Sequence, residues 1–166
     1  AHKTKKCSFV ERPSHLATDS ASSIDALLHA TQNLEGNNII LLLQPTSPFR
    51  NTNDIDNAIK MFLERSGESL VSVTKMIENP FHAYYEENNV LKAVASEKFL
   101  LKRTQDHPTP FRLNGALYIS KLESFKKNKG FLSKKMVKFE IPKERALDID
   151  SQEDFTLAET LLHLQS

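Results

Sequence analysis

Residues 39–43 are five consecutive aliphatic side chains that stop at Gln44-Pro45, and no other stretch narrows the fold as far. A run so short carries no helical stripe, so it reads as a strand buried on both faces, the kind found at the centre of a parallel sheet. Residues 44–52 then hold two prolines, two threonines and a serine, a strand-to-helix connection. Ile55, Ile59 and Phe62 recur at helical spacing up to Gly67, and residues 70–73 form a second strand. Residues 39–74 are therefore expected to make a βαβ unit with a right-handed crossover. Upstream, Ile24, Leu27, Leu28, Thr31 and Leu34 share one face of a helix across 22–34, stopped by Gly36. The fold class these signals imply is α/β and layered.

Beyond residue 74 the pattern loosens. Residues 81–85 and 90–94 flank Glu86-Glu87-Asn88-Asn89 as a hairpin, and 116–119 and 137–141 read as later strands. Ser151 with Asp154 three positions on resembles a capping box, ahead of a final helix with Phe155, Ala158, Leu161 and Leu162 as its apolar face. The expected organisation is one domain over 1–166, with an excursion inside about 81–139.

Composition limits the function classes. The 166 residues are 39% hydrophobic, and a chain this long buries roughly 70% of its unfolded surface, enough for a core. Lys and Arg number 22 against 21 acids, a net charge of +1, which lacks the basic footprint of a nucleic-acid binder. No apolar run approaches the ~18 residues of a membrane span, so the expectation is a cytoplasmic protein, or a nuclear one in a eukaryote, with neither nucleic acid nor membrane as partner. Cys7 is the one cysteine, and the six histidines show no metal-binding spacing. The four glycines, Gly36, Gly67, Gly115 and Gly130, lie too far apart for a glycine-rich phosphate loop.

Three segments carry ligand chemistry. Gln44, Thr46, Ser47 and Arg50 follow the aliphatic strand, where ligands bind in open α/β sheets; the plain alternative is an ordinary turn. Asp148 and Asp150 flank Ile149, so an extended backbone puts both carboxylates on one side, a pair suited to Mg²⁺; the alternative is a polar strand end capping the last helix. Arg112, Asn114, Gly115 and Tyr118 combine an anion ligand, an amide, a close backbone approach and a phenol. Lysines 121, 126, 127, 129, 134, 135 and 138 are either a solvated face or a patch steering an anion.

Taken in order, Arg12-Pro13, Leu16 and Asp19 to Ser23, then Gln44-Pro45-Thr46-Ser47-Pro48-Phe49-Arg50, then Asn114-Gly115-Ala116 with Tyr118, then Asp148-Ile149-Asp150, the sequence resembles the CMP-sialic acid synthetases (acylneuraminate cytidylyltransferases) along essentially its whole length. The resemblance implies a Rossmann-like nucleotidyltransferase fold, a three-layer α/β sandwich with a small dimerisation excursion. It also implies a homodimer that makes a CMP-sugar and diphosphate from CTP and a nonulosonic acid such as N-acetylneuraminic acid, with Mg²⁺.

Carried over by position, it assigns Arg12, Ala21 and Ser23 to cytidine, and Gln44, Thr46, Ser47, Arg103, Arg112, Asn114 and Tyr118 to the substrate. Asp148 and Asp150 become the metal ligands and catalytic pair, and Phe131 becomes an aromatic reaching over a partner's sugar site. The family's first strand and its phosphate loop rich in Arg, Gly, Ser and Lys match nothing here. Thr104 stands where the family often has a second arginine after Arg103, and His82 where it often has lysine. A sugar-binding or dimerisation module without catalysis, or a cytidylyltransferase for a related acid sugar, are the competing readings.

Overall fold

The computed structural model describes residues 8–18 and 21–165. Its main sheet has the order β1-β5-β2-β6, built from β1 (Ile39–Leu42), β2 (Ser69–Lys75), β5 (Phe111–Lys121) and β6 (Met136–Glu140). Strands β1 and β2 each run antiparallel to β5, and β2 runs parallel to β6.

The aliphatic run is thus an edge strand among the described strands rather than the central one, and Ile39 is 47% exposed. The strand buried on both faces is β2, whose residues 69–74 are all buried although three of them, Ser69, Ser72 and Thr74, are polar. Hydroxyls that find partners inside the sheet let a less apolar sequence occupy the middle. The two parallel strands of the expected βαβ unit are separated by β5, which arrives from much later in the chain.

Alternation along β2 divides the core into two layers. Leu70 faces Ala58 and Phe62 of α2 (Thr52–Glu64) together with Leu117, Ile119 and Ile141. Val71 and Val73 face Leu122 and Phe125 of α4 (Leu122–Asn128) with Phe131, and Ile24, Leu27 and Leu28 of α1 (Ser23–Ala30) pack against the same cluster. The result is three layers, helix on sheet on helix.

Helix α2 starts on a capping box, Asp54 N–H to Asn51 Oδ1 at 2.9 Å and Asn51 N–H to Asp54 Oδ2 at 3.1 Å, and the buried Asp54 also pairs with Arg145. The capping box expected at Ser151 is present ahead of α5 (Gln152–Gln165): the Ser151 hydroxyl donates to Asp154 Oδ2 at 2.8 Å and accepts from Asp154 N–H at 3.2 Å. That hydroxyl bond, with the backbone N–H of Asp150 next, holds the Asp154 carboxyl below its usual range. The expected apolar face of α5 does not pack as read: Ala158 is buried, but Phe155 and Leu162 are 48% and 53% exposed.

The excursion is narrower than residues 81–139, because β5, α4 and β6 belong to the main body. What stands apart is a two-stranded sheet of β3 (Tyr84–Glu87) and β4 (Val90–Ala93), followed by α3 (Glu97–Leu100). Asn88 and Asn89, both left-handed at φ 56° and 60°, close the hairpin.

Candidate active site

A cleft of about 410 Å³ opens between the start of α1, the end of β1, mid-β5 and the loop after α4, lined among others by Ser23, Gln44, Tyr118, Lys129 and Phe131. Gln44 leaves β1 two residues after Leu42, and Leu42 is the register partner of Tyr118 on β5. Strand pairing therefore sets the amide and the phenol side by side. Phe131 stacks against Tyr118 at 5.3 Å between centroids and against Phe125 at 4.9 Å, and is 4% exposed. Expected from sequence to reach over a partner's sugar site, it is rooted here in its own core and walls the cleft of its own chain.

The loop after β1 is clamped rather than open. Arg50, read from sequence as an anion ligand, donates from Nη1 to the carbonyls of Gln44 at 3.1 Å and Ala116 at 2.6 Å. The Thr46 carbonyl accepts the Ile149 N–H at 2.9 Å, which ties the Gln44 loop to the Asp148–Asp150 segment. Ser47 is buried, and its hydroxyl has no partner among the described residues.

A bulge in β5 completes the arrangement. Leu113 pairs with Val73 and Tyr118 with Val71, so residues 114–117 all stand opposite Ser72. The Ser72 hydroxyl donates to Asn114 Oδ1 at 2.6 Å and accepts the Leu117 N–H at 2.8 Å. Asn114 Nδ2 donates to Thr74 Oγ1 at 2.9 Å, and Thr74 passes the chain on to the Ile141 carbonyl at 3.0 Å. Asn114 is 2% exposed with its amide committed here, so it shapes the bulge instead of touching a sugar. Gly115 has φ +75°, and a Cβ on it would stand 2.5 Å from Asp148 Oδ2 and 3.0 Å from Gln44 Oε1. Only glycine lets the strand meet both side chains.

Asp148 is the electrostatic centre of this corner. Its Oδ1 is buried with no hydrogen-bond partner among the described residues, and leaving an ionised oxygen so is costly unless a cation completes it. That donor fits a hard divalent cation. Asp150 is exposed, and its backbone N–H donates to Asp154 Oδ2 at 3.2 Å. No group of three or more His, Cys, Asp or Glu side chains placed to hold a metal occurs among the described residues. Burial first, and then the Asp148 charge, push the Tyr118 phenol above its ordinary pKa, so it remains a proton donor.

The other assigned residues are dispersed. Arg12 lines a small cleft of about 260 Å³ that shares Ser23, and its guanidinium donates to the Leu16 carbonyl at 3.3 Å. Ala21 is half-buried just before α1; Asp19 lies outside the described residues. Arg112 lines a third cleft, about 300 Å³, beside Lys75 and Lys143. Arg103 is exposed and paired with Asp106 at 3.5 Å. Sequence reading missed Ser72, although a serine inside an aliphatic strand is itself a sign of a buried hydrogen bond. The clamp by Arg50 left no such sign.

A family model described as cytidylyltransferase matches residues 1–165. The chain is 31% identical over 150 residues to an N-acylneuraminate cytidylyltransferase of Streptococcus agalactiae serotype V, covering 89% of this chain and 36% of that protein. It is 32% identical over 155 residues to the N-acylneuraminate cytidylyltransferase of Escherichia coli O18:K1:H7, covering 92% and 36%. The CMP-N,N'-diacetyllegionaminic acid synthase of Legionella pneumophila is 28% identical over 160 residues, covering 92% and 68%. The chain thus spans about a third of the length of the first two relatives. A solved CMP:2-keto-3-deoxy-manno-octonic acid synthetase complexed with CTP superposes with TM-score 0.60 at 12% identity, over 89% of this chain and 70% of that one. At that identity the likeness establishes the fold alone, a Rossmann-like three-layer α/β sandwich.

Proposed function

Because the chain belongs to the cytidylyltransferase family, we propose that it forms the substrate-binding body of an enzyme that transfers CMP from CTP to a nonulosonic acid such as N-acetylneuraminic acid. The observation that carries this reading is the corner at Gly115, where Gln44 and a buried, unpartnered Asp148 oxygen meet beside the Tyr118 cleft. The anomeric hydroxyl oxygen of the sugar bonds to the α-phosphorus of CTP as the bond from that phosphorus to the β-phosphate oxygen breaks, diphosphate leaves, and the hydroxyl's proton passes to water. Positioning supplies most of the acceleration in such a transfer. Ser23 at the start of α1, with Arg12 on the adjoining cleft, serves the cytidine side. Gln44 and Tyr118 hold the sugar, with Phe131 closing the wall behind them. A neutral phenol donates a hydrogen bond to sugar or phosphate oxygen and does not accept the hydroxyl's proton.

Asp148, with Asp150 on the same segment, would hold Mg²⁺. Such an ion neutralises charge on the phosphates and the leaving diphosphate. The relatives' printed activities support CTP and a sialic-type acid as the substrates, and the exposed β3–β4 hairpin supports a homodimer. No helix among the described residues is long and apolar enough to cross a membrane, and a cytoplasmic site suits the nucleotide substrate.

Asp148→Asn in the complete protein tests the reading. Diphosphate release from CTP and N-acetylneuraminic acid should fall at least about 100-fold, the size expected for losing charge stabilisation worth several kcal/mol. Circular dichroism and Tm should stay near wild type. Near-normal turnover across a Mg²⁺ titration would return Asp148 to a purely structural role.

A further inference from the structure

The lysine-rich stretch does not act as one face. Lys126 Nζ donates to the carbonyls of Gln32 at 3.2 Å and Leu34 at 2.8 Å, which ties α4 to the turn after α1. Lys138 lies over the Phe111 ring at 3.9 Å and pairs with Glu140 at 3.0 Å. Both are committed to the fold. Lys129 differs from them: among the described residues it is the one charged side chain lining the Tyr118 cleft, and it has no ion pair.

The backbone at Lys129 sharpens the point. It is left-handed, φ 49° and ψ 47°, and closes α4 with the Gly130 N–H donating to the Phe125 carbonyl at 3.1 Å. Helices that end this way usually place glycine at that position, because an L side chain crowds the following carbonyl. Ending the helix therefore does not call for lysine. Phe125 and Phe131, four residues before and two after, are both buried, so the exposed side chain of Lys129 extends from a fixed base that lines the cleft.

We infer that Lys129 is a specificity-determining residue that receives the carboxylate of the acid sugar, an assignment that rests on the cytidylyltransferase reading above. Asp148 at the Gly115 corner repels a bare carboxylate, whereas phosphates bridged by a cation suit it. A carboxylate in the same cleft is best neutralised at the wall that carries Lys129, where three ammonium protons can form charge-assisted hydrogen bonds. Arg103, which the family resemblance offers for this task, is already paired with Asp106 and does not line this cleft.

The test is calorimetric binding to the complete protein of N-acetylneuraminic acid, its neutral methyl ester and CTP. Wild type should prefer the acid over the ester by about tenfold or more. Lys129→Gly suits the left-handed backbone, so its Tm should equal or exceed wild type. Its affinity for the acid should fall by about tenfold or more, with ester and CTP affinities within about twofold of wild type. Lys129→Arg should restore most of the preference. If the glycine variant keeps the preference, or if the loss falls on CTP, the assignment is wrong while the proposed function stands. If wild type binds neither sugar, the function and the assignment fall together.

Discussion

The three-layer body and the β3–β4 hairpin solve the same folding problem in opposite ways. In the body, residues 69–74 of β2 are buried without exception, and even their hydroxyls are paired. Across residues 75–113, which hold the hairpin, no residue is buried. Phe81 and Phe99 stack there at 4.6 Å, and His107 is held between Asn79 and the Phe99 carbonyl, yet all four side chains are only half-buried. A two-stranded sheet is marginal by itself, so the body holds its shape by its own core, whereas the hairpin has none of its own.

The largest effect should come from the body. Phe125 is fully buried between α4 and the sheet and supports Phe131, which in turn supports Tyr118. Phe125→Ala should cost about 3–5 kcal/mol in urea unfolding. Leu91→Ala in the hairpin should stay within about 0.5 kcal/mol. Comparable losses from the two substitutions would mean that the hairpin shares the body's core after all.

The same division governs what could be read from sequence. Helices α1 and α2, the hairpin and the Ser151 capping box were legible because each is written in local spacing and turn chemistry. Sheet order was not, since β5 enters between β1 and β2 by a pairing that no local pattern encodes, and β2, with its three hydroxyl residues, became an inner strand while the aliphatic β1 became an edge. At the site, Gln44, Asp148 and Tyr118 were found as chemistry-bearing residues and do meet. Asn114 and Arg50 looked like ligands because an amide and a guanidinium serve a bulge or a loop as readily as a substrate. Lys129 was submerged in a run of lysines whose separate roles depend on where α4 ends.

A second test turns from the body to the proposed dimer contact at the hairpin. Tyr84, 50% exposed, and Leu91, 68% exposed, share one face of the hairpin, an apolar surface of the kind that pairs with a second copy about a twofold axis. Leu91→Asp should leave the unfolding of the body unchanged and weaken self-association at least about tenfold, because a buried unpaired carboxylate is expensive. Sedimentation velocity across a dilution series reads this directly. A variant that remains as dimeric as wild type would move the interface away from the hairpin.

The smallest effect is the most specific to the comparison. Asn88 and Asn89 both adopt positive φ to close the hairpin, and turns of that kind favour glycine at the second position. Asn89→Gly removes the left-handed crowding of a side chain and adds freedom to the unfolded chain, two opposing contributions that should leave a gain of only a few tenths of a kcal/mol. If the hairpin opens independently of the body, that gain should slow amide exchange about 1.5- to 2-fold at its cross-strand bonds, with the amides of β2 and the Tm unaffected. The measurement belongs at concentrations where the chain is monomeric, so that the hairpin is uncovered. Equal slowing in β2 would show that the excursion and the body open as one unit, and the distinction between a self-sufficient core and a waiting arm would then be one of exposure alone.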